Sequence, residues 1–276
     1  MNLWKRIYWG LLLMGFPLIR VRNQNINTIK IMIEINMIDL HTHILPNIDD
    51  GASDLEEALK MTESLRTQNI MKAVCTPHFD PTQTSLQAFI KKRTSAMDCM
   101  SDSKIDLICG SETMLHDYLF HYSEISGLCI ENTRYLLVEL PFRRSWDIKV
   151  YETLEKLISY FNVIPIIAHV ERYQAVKKNV KCIKKLIDMG CVIQLNTSSI
   201  MNKKSMHQAV YYIKHGYIDV LGSDCHNMKN RPPIISAAFD IIEQKLGFKY
   251  CAELRYNAQC IVSGIEIRKK IAYKPL

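Results

Sequence analysis

The 276-residue sequence contains no C-x-x-C pair, although it holds nine cysteines. Their number is odd and they are scattered (Cys75, Cys99, Cys109, Cys129, Cys182, Cys191, Cys225, Cys251, Cys260), so neither a disulfide framework nor a zinc knuckle is expected. A reducing cytosol suits them better. Internal repeats and low-complexity linkers are missing too, which speaks for one domain. A strong charge bias is also lacking. Of 35 basic and 28 acidic residues, five bases (Lys5, Arg6, Arg20, Arg22, Lys30) against one acid (Glu34) precede Met37. The remainder carries a surplus of only three positive charges, too little to argue for nucleic acid.

A long apolar run is likewise absent. Lys5-Arg6 followed by Ile7 to Ile19 has the basic-then-apolar order of a signal sequence. It lacks a small-x-small cleavage site, is short for a bilayer span and is interrupted by Gly15 and Pro17. Residues 1–36 are therefore expected to be an N-terminal extension, disordered or lying upstream of the true initiator Met37, with a membrane anchor left open. A protein begun at Met37 is expected to be soluble, fully active and equally stable. Loss of folding on that truncation would show instead that Trp4 to Ile19 packs on the domain, and membrane recovery of the full chain alone would favour an anchor.

From Met37 onward one pattern recurs: an apolar, β-rich run, a ligand-type residue at its end, a loop, and a stretch of helical periodicity. The runs are Ile38 to Leu40, Met71 to Thr76, Ile105 to Gly110, Tyr135 to Val138, Val163 to Ala168, Cys191 to Leu195 and Ile218 to Gly222. The first helix reads as capped by Ser53-x-x-Glu56, with Leu55, Ala58, Leu59, Thr62 and Leu65 on its inner face. Later helices are expected around Phe89 to Met100, along Ile148, Tyr151, Leu154, Leu157 and Ile158, and over Lys181 to Met189. Another opens at Ser205-x-x-Gln208 with Met206, Val210 and Ile213 inward, and Ile234 to Lys245 and Cys251 to Val262 complete the chain.

The strand ends converge chemically. Ile38-Asp39-Leu40 leads to His41-Thr42-His43, two imidazoles that alternation along a strand would put on one face, where they could chelate one cation. Asp49 and Asp50 of Asp49-Asp50-Gly51 follow six and seven residues past His43, hard donors on a loop that Gly51 lets turn, Asp50 being the one counted with the ligands. The other runs end in His78, Glu112, Glu139, His169, Asn196, and then Asp224 with His226. In a βα-repeat barrel such ends meet on one rim. Five histidines among these carboxylates are too many donors for one tetrahedral zinc and suit two or three borderline divalent ions. Such a cluster activates water near neutral pH and clamps the attacking and leaving oxygens of an in-line displacement, so hydrolysis of a phosphate ester is its natural use. Arg172 and Arg231, close to His169 and His226 in sequence, offer the forked donors that a phosphate takes.

These residues carry a family resemblance. D-L-H-T-H-I-L-P-N-I-D-D-G, T-P-H, G-S-E, V-E-L, I-A-H-V-E-R-Y, Q-L-N-T-S-S and G-S-D-C-H-N-x-x-x-R-P-P, spread between Met37 and about Ile265, resemble the PHP-superfamily metal-dependent tyrosine phosphatases of bacterial capsule and exopolysaccharide operons (the CpsB/CapC type). The resemblance implies an α/β fold, a distorted (β/α)7 barrel with its metal site at the C-terminal ends of the strands, in a domain spanning residues 37–276. It implies a manganese-preferring site of two or three ions, with iron or zinc as other occupants, held by His41, His43, Asp50, His78, Glu112, Glu139, His169, Asp224 and His226. Arg172, Arg231 and Asp50 are its implied catalytic residues. The implied substrate is the phosphotyrosine tail of a membrane-associated bacterial tyrosine kinase, the implied compartment is the cytoplasm, and homo-oligomerisation is left open. Two departures stand out: the N-terminal extension, and Tyr256-Asn257-Ala258 where an N-P turn before the last helix is expected.

Three competing readings bear weighing. Cys225 to Arg231 satisfies the C-x5-R spacing of cysteine phosphatases, but the loop lacks the glycines that help backbone amides cradle phosphate. The same ligand set would serve a phosphatase of a small monoester such as histidinol phosphate. A non-catalytic, metal-stabilised binding module predicts loss of ligands, and none is lost.

Overall fold

A computed structural model describes residues 37–267; the expectations for residues 1–36 lie outside them. Among the described residues nine short strands, all paired in parallel, carry the fold: β1 (Met37–Thr42), β2 (Ile70–Cys75), β3 (His78–Phe79), β4 (Asp106–Cys109), β5 (Glu112–Met114), β6 (Tyr135–Glu139), β7 (Ile164–Ile167), β8 (Val192–Asn196) and β9 (Val220–Gly222). One sheet has the order β1-β2-β4 and the other β3-β5-β6-β7-β8-β9. Backbone bonds tie the free edges of β1 and β9 together: Asp224 N donates to His41 O (2.8 Å), His43 N to Cys225 O (2.9 Å), and Thr42 bridges Cys225. The parallel strands thus form a curled sheet of an α/β protein, and their near-continuous apolar runs are what burial on both faces requires.

Two of the expected strands are broken. Pro77, which has no N–H for a ladder, separates β2 from β3, and Gly110-Ser111 separates β4 from β5. His78 and Glu112 consequently begin short second segments that pair with each other, instead of ending the strands before them. The segment after β5 departs from the recurring rhythm, since it holds 3-10 turns (Asp117–His121 and Ser126–Leu128) in place of a helix.

The helices correct the sequence reading in detail. In α1 (Leu55–Thr67) the cap is Asp54, accepting from Glu57 N at 2.8 Å, while Glu57 Oε2 reaches back to Ser53 N at 3.0 Å. The capping box therefore lies one residue later than Ser53-x-x-Glu56, because Asp54 is as good a cap and its partner Glu57 stands at the right distance. Its inner face is Ala58, Met61, Thr62 and Leu65, an i, i+3, i+4, i+7 stripe, and Leu55 in the first turn is exposed. Helix α2 (Leu86–Asp98) starts three residues before Phe89, where Ser85 caps it. Helix α3 (Ile148–Phe161), capped by Asp147, buries Val150, Tyr151, Leu154 and Leu157 but leaves Ile148 exposed.

Two short helices, α4 (Gln174–Lys178) and α5 (Lys181–Asp188), follow β7, and α6 (Thr197–Met201) and α7 (Met206–Lys214) follow β8. In α7 the buried positions are Ala209, Tyr212 and Ile213; Met206 and Val210 are only partly buried, and Ser205 bonds Ser199 O instead of capping. Helices α8 (Ser236–Leu246) and α9 (Phe248–Val262) complete the described residues. Tyr256-Asn257-Ala258 lies within α9, where Asn257 Nδ2 donates to Asp219 O at 2.9 Å. The main core packs helices on the sheet. A smaller cluster takes Ile38, Leu40, Val74, Leu137, Ile166, Val192 and Val220 from six strands, together with Ala258 and Ile261 of α9.

Candidate metal centre

All nine residues singled out as ligands converge on one rim. His41 lies near the end of β1 with His43 just past it; Asp50 stands on the loop to α1, His78 and Glu112 open β3 and β5, and Glu139 ends β6. His169 follows β7, and Asp224 and His226 follow β9. His169 (φ +32°) and Asp224 (φ +54°) adopt left-handed backbone, a conformation costly for residues with a Cβ and found where a site over-determines it. Here it is held by His169 N donating to Gln194 Oε1 (2.6 Å) and Asp224 N donating to His41 O (2.8 Å).

Glu112 stands at the middle of the cluster. Its Oε1 lies 2.8 Å from His169 Nε2, and its Oε2 lies 3.1 Å from His41 Nε2, 3.3 Å from His43 Nε2 and 3.1 Å from His78 Nδ1. Asp224 Oδ1 is 3.4 Å from both His41 Nε2 and His43 Nε2. Asp50 Oδ1 faces His78 Nε2 (3.4 Å) and His226 Nε2 (3.3 Å), and Glu139 Oε1 faces His169 Nε2 (3.3 Å). Three overlapping groups bring their donor atoms within 4.8 Å of one another: His43, Asp50, His78 and His226; His41, His43, Glu112 and Asp224; and His78, Glu112 and Glu139.

The donors fit divalent cations. His41 Nε2 and His43 Nε2 face each other at 3.1 Å, so at most one proton can lie between them and a lone pair is left over. His226 Nε2 is buried without a hydrogen bond. Imidazole and carboxylate in this mixture suit manganese, iron or zinc.

Support comes from residues beside the nine ligand candidates. Asp49 Oδ2 takes His43 Nδ1 (2.7 Å) and His78 N (3.0 Å), fixing the tautomer and leaving Nε2 free for a cation. Gln194 Oε1 stands 3.3 Å from His41 Nδ1, and Asn196 Nδ2 donates to Asp224 Oδ2 at 2.8 Å. The D-D-G and Q-L-N strings contain these residues, but sequence spacing alone does not tell a ligand from its orienting partner. Two glycines make room: a Cβ on Gly222 would lie 2.5 Å from His41 Cβ, and one on Gly51 would lie 2.1 Å from His43 O. Side chains there would displace the histidines.

The electrostatics are those of a site that binds cations in place of protons. Burial opposes charge on His43, yet Asp224, Asp49 and Glu112 together raise its pKa well above the usual imidazole value. For His169 burial is likewise outweighed by Glu112 and Glu139, which push it up to about 9. Burial works against the Glu112 carboxylate as well, but His41, His169 and His43 hold it well below the usual range. Without metal, then, His169 carries a proton at neutral pH. Since the folded pKa of His169 exceeds the unfolded value, its charge stabilises the metal-free protein fully below about pH 6.5, and that contribution is lost as pH rises through about 9. The melting temperature of chelated protein is therefore expected to fall between pH 7 and 9.5, and less so in His169→Gln. Manganese added at pH 7 should release protons and bind more tightly as pH rises, as titration in weak buffer would record. A pH-independent affinity would contradict this picture.

Arg172 Nη1 donates to Asp224 Oδ2 at 3.0 Å and Arg231 Nη2 approaches Asp224 Oδ1 at 2.6 Å, with both side chains partly exposed. They line a cavity of about 550 Å³ with Asn196, Thr197, Asn202 and Pro232. Cys225 is fully buried, and burial raises its thiol pKa well above the usual value, which removes it as a thiolate nucleophile.

The family model described as capsular polysaccharide synthesis, CpsB/CapC, matches residues 37–263. The chain belongs to the CpsB/CapC family. Tyrosine-protein phosphatase CpsB of Streptococcus pneumoniae is 30% identical to this CpsB/CapC chain over 233 residues, 79% of the chain and 94% of the relative. Tyrosine-protein phosphatase YwqE of Bacillus subtilis (strain 168) is 26% identical over 240 residues, 82% and 91% of the two. Among solved structures, a chain from the crystal structures of YwqE and CpsB, described as unique metal-dependent tyrosine phosphatases, aligns with a TM-score of 0.74 at 23% identity. It covers 86% of this chain and 98% of its own length, so the CpsB/CapC chain shares its fold.

Proposed function

We propose that this chain is a metal-dependent protein tyrosine phosphatase, hydrolysing the phosphoric monoester of phosphotyrosine. The observation that carries the reading is the packed cluster of five imidazoles with Glu112, Glu139, Asp50 and Asp224, rimmed by two guanidinium groups that both turn to Asp224. Two or three divalent ions held by His41, His43, Asp50, His78, Glu112, Glu139, His169, Asp224 and His226, manganese first and iron or zinc as other occupants, would activate water and neutralise phosphate charge there.

The chain's own residues do the positioning. Arg172 and Arg231 exchange part of their contact with Asp224 for the non-bridging oxygens of the phosphate, holding them as charge shifts in the transition state. Asp50, the most exposed of the cluster's carboxylates, turns Oδ1 to His78 and His226 and has its other oxygen to accept the proton of the attacking water. Asp49 and Gln194 keep His43 and His41 turned toward the cluster. Counting β2 with β3 and β4 with β5 as two broken strands gives seven, with the bridge between Thr42 and Cys225 as closure; we infer a distorted (β/α)7 barrel.

The names of the relatives, matched along nearly their full length, support phosphotyrosine over histidinol phosphate. The substrate protein is taken to be a membrane-associated tyrosine kinase acting in capsule or exopolysaccharide synthesis, reached from the cytoplasm. Among the described residues no helix is long and apolar enough to cross a membrane. Metal-free protein should be inactive, and manganese should restore hydrolysis of a phosphotyrosine peptide well above that of histidinol phosphate. The reverse preference would reassign the substrate, and turnover by the metal-free form would remove the mechanism. Cys225→Ser should keep full activity, with no phosphorylated enzyme trapped by acid quench.

A further inference from the structure

We infer that Phe142 is a specificity-determining residue: its exposed ring is the platform on which the phenyl ring of the phosphotyrosine substrate lies while the phosphate is held by the arginines and the metal cluster. The inference rests on the phosphatase reading above and names the part of the site that would select an aryl ester.

Phe142 follows Glu139-Leu140-Pro141 at the end of β6, and it is 53% exposed beside the most polar part of the molecule. A large apolar side chain left in water there is not explained by the core. Nor is it a loose loop residue, because everything beneath it is fixed. Leu140 N donates to Tyr173 Oη (2.9 Å), and Pro141 O accepts from Arg143 N (2.8 Å) and from Trp146 Nε1 (3.0 Å). Trp146 packs edge-on against Tyr173, ring centres 5.1 Å apart. On this base the Phe142 ring lies over His169 at 5.6 Å with planes 23° apart, and beside Tyr173 at 5.1 Å.

The position matches the chemistry. The Arg172 guanidinium stands 5.4 Å from the centre of the Phe142 ring and at the same time donates to Asp224. A phosphate drawn to Arg172 therefore has an aromatic face next to it, where the ester's own ring can stack and shed water. The 550 Å³ cavity that Arg172 also lines is the competing seat for the ring, with a mixed lining of amides and hydroxyls (Asn196, Thr197, Asn202) beside Met201, Pro232 and Ile234.

The test uses full-length manganese-loaded protein and two readouts, steady-state kinetics with a phosphotyrosine peptide and competitive inhibition by inorganic phosphate, benzylphosphonate and methylphosphonate. Phe142→Ala is expected to raise KM about 5- to 30-fold with kcat little changed. Inhibition by phosphate and methylphosphonate, which lack a ring, should stay as it was, and the preference for benzylphosphonate should disappear. Phe142→Tyr or Phe142→Trp should restore both. An unchanged KM in Phe142→Ala, or a rise in Met201→Ala instead, would put the ring in the cavity and overturn the platform. Parallel loss of phosphate inhibition and manganese content would overturn it as well, making Phe142 a mere brace for His169. The phosphonate arm separates the two readings: wild type that fails on phosphotyrosine yet prefers benzylphosphonate refutes the substrate and keeps the platform. Wild type indifferent to the ring refutes the platform alone.

Discussion

Glu112→Gln should lose manganese and most of its activity together. The substitution keeps size and shape, so packing is not the issue. The two oxygens of Glu112 lie within 3.3 Å of four imidazoles, and the amide takes away the negative charge that lets them face each other in a buried site. Uncompensated charge of this kind costs about 3–5 kcal/mol. Expressed as turnover at fixed manganese, that is roughly a 100- to 5,000-fold loss. Metal analysis after desalting should show fewer ions per chain than wild type. His43→Ala and Glu139→Ala should follow, the latter less strongly because Glu139 faces His169 from the edge of the cluster. Full occupancy and normal turnover in Glu112→Gln would mean that Glu112 is not needed to hold the metal.

The arginines should divide from the ligands in the opposite way. Arg172→Ala and Arg231→Ala should leave manganese content intact, since Asp224 keeps the bond from Asn196 Nδ2 and the backbone bond to His41. Their activity should nevertheless fall. A charge-assisted, forked contact to phosphate in a partly desolvated site contributes about 2–4 kcal/mol, so kcat/KM should drop roughly 30- to 1,000-fold. Lysine at either position should rescue only part, because an ammonium restores the charge without the fork. Inhibition by the product phosphate should weaken in the same variants. Near-normal kcat/KM and phosphate inhibition in both alanine variants would leave the anion to the metals alone, with the arginines serving only to hold Asp224.

The kinds of residues in the site, and the βα rhythm that carries them, were legible in the sequence because both are local. An apolar run that ends in histidine or a carboxylate is visible within a few residues, and its recurrence between Ile38 and His226 predicted that the ends would meet. What the tertiary structure alone decided is relational. That Pro77 and Gly110-Ser111 break two strands, so that His78 and Glu112 open new segments paired with each other, depends on the neighbouring strand available to each. That Asp49 orients His43 while its neighbour Asp50 faces His78 and His226 depends on which way one loop turns over Gly51. Gln194, 153 residues from His41, meets it only because β8 and β1 lie on either side of Gly222, and Phe142 reaches Arg172 only across two strand ends. Residue chemistry and spacing are properties of the chain, whereas a hydrogen bond between distant side chains exists only once packing has chosen their neighbours.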